Sequence, residues 1–387
     1  MLVADFSRVL AGPWATMTLA DLGATVVKVE RPGLGDETRA WGPPWTETAS
    51  SYFECLNRSK YSVTLDLADT DDRRLAQELA ARADVLVENF RTGYLARHGL
   101  GYEDVCRVNP GIVYCSITGF GSGAGAAIPG YDFIVQAVGG LMSITGEADG
   151  DPYKVGVALV DVLTAKDAVI GILAALQSRQ RACRGQHVEV DLLSSCLAAL
   201  VNQAAGYLAT GESPRRMGNR HPSIAPYEVL HCRDGLLAVA CGNDAQFRRL
   251  VGALDSPQLA DDPRFATNPA RVTNRAALVA ALEQQLAVAD AATWEQRLTS
   301  ADVPVGQVAD IAAAIQRAEE LGLEPTVSVG AGHPRQLSHP VRYSSGSPAS
   351  AGPPPRLGEH ASEIRSWLAG PRSAPLPHPS VSEKALR

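Results

Sequence analysis

Short apolar, β-branched runs alternate with stretches of helical spacing through the first half of the chain, and this rhythm constrains the fold more than any other feature. Leu2–Asp5, Thr25–Glu30 (TVVKVE), Val85–Glu88, Ile112–Ile117 and His187–Leu192 read as strands. Between them Trp14–Leu22 and Asp71–Ala83 read as helices, and Pro129-Gly130 opens a further helical stretch from Tyr131. A helix between two strands returns the chain to the same end of the sheet, so the strands lie mostly parallel with helices on both faces. The expected class is therefore α/β. No repeat of fixed period is visible, which argues against a solenoid or propeller.

The composition shifts near Thr210. The segment GESPRRMGNRHPSIAP is polar and broken by Pro and Gly, as in a linker or active-site loop. Beyond it Leu236–Ala240 reads as a strand, and helices follow over 244–254, 273–288 and 292–299, a plausible second, smaller domain. Val303–Val308 is again strand-like, and Tyr343–Pro355 is a Pro/Ser/Gly loop. The tail from Pro371 has little to bury and is expected to be flexible.

With a formal net charge of -7, no global basic field attracts nucleic acid, and any polyanionic ligand must be held by local arginines. The seven cysteines are odd in number and form no CxxC, which suggests neither a disulfide framework nor a zinc site. They read as buried free thiols of a cytoplasmic protein. MLVADFSRVLAGP lacks the basic start and long apolar run of a signal peptide. The apolar stretch Val155–Leu176 is interrupted by Asp161, Lys166 and Asp167, so it reads as a core helix with its lead-in and not as a membrane span. The histidines are scattered without an HExxH, so no metal is expected, and no GxSxG elbow occurs.

Asp161 ends KVGVALVD and precedes the apolar helical run VLTAKDAVIGILAALQ. A carboxylate there suits a helix N-cap, and it equally suits a nucleophile in a partly desolvated site. The loop GFGSGAGAAIPG lets backbone approach a ligand, or simply makes a loop. Neither it nor Gly33 and Gly35 in GLGD completes the dinucleotide fingerprint. Arg8, Arg31, Arg58 and Arg97 stand beside turns or strand ends, where each is an ordinary surface residue or part of a phosphate-binding set.

The opening DFSRVLAGPWAT, then DLGATVVKVERPGLGDETR, NRSKYSVTLDL, ADVLVENFRTGYLARHGLGYEDV and NPGIVYCSITGFG, resembles the class III (formyl-CoA transferase-like) CoA-transferases. GYDFIVQAVGGLMSITG, GILAALQSRQRACRGQHVEVDLL, GNRHPSIAPYE and PRLGEHASEI continue the resemblance in order, over residues 2 to 368 or so. It implies a Rossmann-like large domain built from both ends of the chain and a smaller α+β domain, in an interlocked homodimer. The expected boundaries are 1–205 for the first part of the large domain, 206–305 for the small domain with linkers, 306–370 for the return, and 371–387 for the tail.

The family nucleophile follows a G-x-x-x-x-D run, which Gly156 and Asp161 match. The resemblance further implies that Arg8, Val9 and Ala11 line the adenosine side, and that Arg31 and Arg97 meet phosphates. It puts Leu65 beside the adenine and Asn89 and Phe90 along the pantetheine path. Tyr131 and Asp132 match a tyrosine–acid pair near the nucleophile. Arg8 occupies a position that is often His in the family. The implied reaction moves CoA from an acyl-CoA donor to a carboxylic acid through an aspartyl-CoA thioester. CoA and acyl-CoA enter as substrates, with no permanently bound cofactor and no nucleic-acid or membrane partner. Two rivals are a 2-methylacyl-CoA racemase of the same fold and a non-catalytic CoA-binding protein. Racemisation is disfavoured because Tyr131 stands where that branch carries His and His231 falls near its acid; a tyrosine with a pKa near ~10 is a poor base at neutral pH. The loop GNRHPSIAPYE is shorter than in oxalate-specific members, which suggests another carboxylate, with a succinyl-CoA-type donor as the guess. Arg220 and His221 there either bind the second carboxylate of a diacid or are loop surface.

Overall fold

The computed structural model describes residues 1–345 and 350–377, and the chain divides into two compact units. The larger comprises Met1–Leu141, Val155–Ala209 and the chain from Glu324; the smaller comprises Met142–Lys154 and Thr210–Leu323.

In the larger unit, β1 (Leu2–Asp5), α1 (Ala11–Asp21), β2 (Thr25–Glu30), α2 (Ser51–Asn57), β3 (Lys60–Thr64), α3 (Thr70–Arg82), β4 (Val85–Glu88), α4 (Tyr102–Val108), β5 (Val113–Thr118), α5 (Asp132–Val138), α6 (Leu159–Ala182), β6 (Gln186–Asp191), α7 (Leu192–Ala199) and α8 (Val201–Thr210) follow in order. The six strands form one parallel sheet in the order β3-β2-β1-β4-β5-β6. Side chains alternate across it. Val3, Val26, Val87 and Cys115 pack with Ala15 and Leu19 of α1 and Ala168 and Ile172 of α6. Their neighbours Ala4, Val27, Leu86 and Tyr114 pack on the other face with Leu75 and Leu79 of α3. This two-residue period, buried on both sides, explains why the strands read as continuous apolar runs.

The smaller unit carries an antiparallel sheet of β7 (Tyr227–His231), β8 (Leu236–Ala240) and β9 (Val305–Gln307). With it are α9 (Asp244–Ala253), α10 (Asn268–Thr273), α11 (Arg275–Leu286), α12 (Ala291–Ser300) and α13 (Ile311–Glu320). The chain leaves this unit later than expected because the strand near 305 pairs with β8, and α13 groups with it. Met142–Lys154 also belongs here. The Gly218 N–H donates to Gly146 O at 3.0 Å, and Arg216 donates to the carbonyls of Glu147 and Gly150.

The larger unit resumes with a short hairpin, β10 (Thr326–Val327) and β11 (Gln336–Leu337), and ends in α14 (Ala361–Ala369). Ile364 and Leu368 of α14 join the core beside α3. As far as Pro377 the expected flexible tail is tied down. Trp367 Nε1 donates to Ala374 O at 2.9 Å and the Tyr61 hydroxyl to Pro377 O at 3.1 Å. The rest of the tail, 378–387, and 346–349 of the Tyr343–Pro355 loop lie outside the described residues.

Among the described residues no single helix is long and apolar enough to cross a membrane. The apolar stretch after Val155 forms α6, with a buried stripe from Val160 through Ile172 to Ala175. All seven cysteines are free, but only Cys115, Cys196 and Cys241 are buried; Cys55 and Cys183 are exposed.

Candidate active site

The strand order reverses between β1 and β4, since the chain winds outward from them in both directions. The loops leaving the C-terminal ends of those strands diverge and open a crevice, the usual ligand site of an open parallel sheet. A cleft of ≈ 310 Å³ lies there. Its walls are residues 8–11 after β1, 89–92 after β4, 117–121 at the end of β5 and parts of the 125–131 loop, with Glu37, Asp161 and Leu192.

Asn89 locks two of these walls together. Its side-chain oxygen accepts the Arg8 N–H at 2.8 Å, and its amide nitrogen donates to Arg8 O at 2.7 Å. The Arg8 guanidinium sits 4.8 Å from the centre of the Phe90 ring and pairs with Glu37 at 2.5 Å. Val9 has a φ of 69°, a left-handed conformation that a β-branched residue rarely holds.

Asp161 is the third residue of α6, whose N-cap is Ala158. The N-cap reading of Asp161 is therefore corrected. The capping carboxylate belongs to Asp132, which is buried at the start of α5. Asp132 Oδ1 accepts the N–H of Val160 at 2.8 Å and of Asp161 at 3.3 Å, and Oδ2 accepts Gln136 Nε2 at 2.7 Å. Gln136 Oε1 in turn accepts the Val155 N–H, tying the lead-in to the same cap. Asp161 is half-buried. Burial, and then the Asp132 charge, push its pKa from 3.8 up to about 7. The Val160 and Asp161 amides are engaged by Asp132, so they are not free to stabilise an oxyanion.

The glycine-rich loop closes on itself at the cleft. A Cβ on Gly119 would meet Gly130 Cα at 2.6 Å, and one on Gly130 would meet Gly119 Cα at 2.4 Å, so the two backbones touch where only glycines fit. This contact brings Phe120 and the 60% exposed Tyr131 onto the cleft wall.

Of the residues singled out from the sequence, Arg8, Val9, Ala11, Asn89, Phe90, Tyr131 and Asp161 line the cleft, and Asp132 stands behind Asp161. Arg31 follows β2 and is exposed, Arg97 is exposed over the Tyr94 ring, and Leu65 is buried just beyond β3. These three are not cleft-lining residues. Arg58 is not available for phosphate: it is buried, with its fork on Asp21 at 2.9 and 2.6 Å and further bonds to Gln336 and Leu337. His221 belongs to the smaller unit, where its Nδ1 accepts the Ser223 N–H. Sequence reasoning passed over Arg91 and Glu37. Arg91 directly follows Asn89 and Phe90, so its place in the same strand-end segment was the available signal. Glu37 gave none, because an acid is not sought in a polyanion site.

The chain matches CoA-transferase family III over residues 1–361. It is similar to a succinate–glutarate CoA-transferase of Agrobacterium fabrum, with 42% identity over 95% of this chain and 94% of that one. A succinyl-CoA:glutarate CoA-transferase of Mus musculus is also 42% identical, over 94% of this chain and 84% of its own. Among solved structures, a CAIB/BAIF family protein from Brucella suis superposes with a TM-score of 0.86 at 43% identity, covering 95% of this chain and 98% of that one.

Proposed function

We propose that this chain, which belongs to CoA-transferase family III, moves CoA from a dicarboxylic acyl-CoA such as succinyl-CoA to a second dicarboxylate such as glutarate, with Asp161 as the nucleophile. The names of the two similar transferases support that substrate pair. The observation that carries the reading is the position of Asp161. A partly desolvated carboxylate, raised toward neutral pH and carried on a capped helix, opens onto the cleft at the reversal of the sheet.

In this reading an Asp161 oxygen attacks the thioester carbonyl of the donor, and the carbon–sulfur bond breaks to release CoA thiolate. The thiolate attacks the aspartyl carbonyl of the mixed anhydride and frees the donor acid. The acceptor carboxylate then attacks the aspartyl-CoA thioester, and thiolate leaves again. A last attack by thiolate on the acceptor's acyl carbon gives the new thioester and restores Asp161. Charge and atoms balance with no cofactor, and one exchange becomes a series of easier acyl transfers. Asn89, Phe90, Arg8 and Arg91 hold the CoA ester in the cleft, and its binding energy orients the thioester toward Asp161. The racemase alternative requires a base where Tyr131 stands, and His231 pairs with Glu283 in the smaller unit.

An interlocked homodimer is part of the same reading. Ile170, Leu173, Leu197, Val201 and Leu208, all in the larger unit, are 42–80% exposed, an apolar surface suited to a second copy. Sedimentation equilibrium showing only monomer would remove it.

Incubation with succinyl-CoA followed by hydroxylamine and peptide mapping tests the nucleophile. A hydroxamate at Asp161 is expected. Turnover without any modification of Asp161 would overturn the assignment.

A further inference from the structure

Beneath the cleft wall of residues 8–11 lie four charged side chains with no access to solvent. Lys28 Nζ meets Asp36 at 2.9 Å and Lys60 Nζ meets Asp5 at 3.0 Å, and all four side chains have zero exposure. Burial alone would raise the Asp5 pKa, yet Lys60 and Lys28 bring it down to about 2, so its charge is kept. Two buried ion pairs are a poor source of stability, because desolvation cancels most of their attraction. Their bonds to the backbone suggest another role.

Five successive backbone groups in the turn after β1 are each held by a side chain. Asp5 accepts the Ser7 N–H at 2.9 Å, and Lys28 donates to Ser7 O at 2.9 Å. Asn89 takes both the N–H and the carbonyl of Arg8. Both oxygens of Asp36 share the Val9 N–H at 3.3 Å. Lys60 extends the lattice to Pro13 O in the first turn of α1 at 2.9 Å. Val9, at the centre, has a φ of 69°. Such strain persists only where the surroundings over-determine it.

We propose that the quartet Asp5, Lys60, Lys28 and Asp36 is a positioning device that holds Val9 in its left-handed conformation and thereby sets the wall of residues 8–11 against which the CoA ester binds. This rests on the reading of the cleft as a CoA-ester site. The quartet touches no substrate; it acts through the Val9 backbone.

The test is a double-mutant cycle in the full chain, with succinyl-CoA for turnover and CoA for equilibrium binding. Lys28→Met with Asp36→Asn removes one pair without leaving a buried charge alone. Val9→Gly supplies a residue that takes a positive φ freely. The pair variant is expected to raise KM and Kd by about tenfold beside Val9, and by less than about threefold in the Val9→Gly background. A role confined to stability would lower Tm in both backgrounds and leave the cycle additive. Unchanged KM in the pair variant, or an equal loss in both backgrounds, overturns the proposal. Should the pair variant not fold, the other pair, Lys60→Met with Asp5→Asn, goes through the same cycle and likewise leaves no buried charge alone. The wild-type chain is measured first. If it binds neither probe, the reading of the cleft fails; if it binds them and the coupling is absent, only this inference fails.

Discussion

Asp132 caps the helix that carries Asp161: one carboxylate oxygen accepts the N–H of Val160 at 2.8 Å and that of Asp161 itself at 3.3 Å. The same charge, after burial, is the second cause of the raised Asp161 pKa. One side chain therefore fixes where the reacting carboxylate stands and how readily it holds a proton.

The transfer rate should follow that proton. Attack requires ionised Asp161, so kcat/KM should climb with pH along an acid limb centred at about 7. Asp132→Asn keeps an oxygen to cap the helix but removes the like charge, so the limb should move to lower pH. A pH–rate profile that stays in place, or moves upward, would show that the Asp132 charge does not act on Asp161.

Removing the Asp161 charge should trade activity for stability. A folded pKa of about 7 against an ordinary 3.8 means that the native state favours the protonated form. The ionised carboxylate thus destabilises the fold fully above about pH 7, and the penalty disappears as pH falls toward 3.8. Asp161→Asn should lower transfer by at least ~10³-fold. It should also raise Tm at pH 8 by roughly 2–4 °C, with the gain shrinking as the pH is lowered toward 4.5. A Tm that drops at pH 8 would contradict the sign.

The sheet was legible because both of its faces are buried: β-branched runs such as Thr25–Glu30 and Val85–Glu88 carry that pattern in their own residues. β3 was harder to read from periodicity. It opens with Lys60, which looks like a solvent-facing residue and is buried in an ion pair. The cap on α6 was equally hidden, since Asp132 lies 29 residues before Asp161. Local spacing therefore offered the capping role to Asp161, the nearer carboxylate, beside that of nucleophile. Seven residues named from the sequence line the cleft, but Arg58 shows the limit of reading position alone: an arginine at a strand end reads the same whether it awaits a phosphate or already grips an aspartate.

The Gly119–Gly130 contact should be intolerant of any side chain. Gly119→Ala places a methyl 2.6 Å from Gly130 Cα and must push the two segments apart. Phe120 and Tyr131, which line the cleft from either side of that contact, would shift with them. KM for the CoA ester should rise by about tenfold, consistent with a misplacement of ångström order. Near-normal KM with a lowered Tm would mean that the contact supports the fold and not the cleft.

Glu37 should weaken the grip of Arg8 on an anionic substrate. The two form a half-exposed ion pair on the cleft wall, with side-chain exposures of 41% and 47%. Such pairs contribute only ~0–1 kcal/mol, so a substrate phosphate or carboxylate can displace Glu37. Glu37→Gln removes a charge that repels the substrate and should lower KM by about two- to fivefold, an effect that fades in high salt. Arg8→Ala should raise KM. If both changes raise KM, the intact pair is itself the binding element.

Arg58 should matter for folding and not for CoA. Its guanidinium forks onto Asp21 of α1 and also bonds Gln336 and Leu337 of β11, so it ties α2 to two other elements of the larger unit. Arg58→Ala would leave Asp21 buried without its main partner, a loss of ~3–5 kcal/mol. Arg58→Lys restores the charge but not the two-pronged geometry, and should recover only part of that loss. Denaturant titration of the two variants measures the difference. KM for succinyl-CoA should stay within about twofold of wild type in any variant that folds. A large rise in KM with unchanged stability would return Arg58 to the phosphate-binding role that its place at a strand end first suggested.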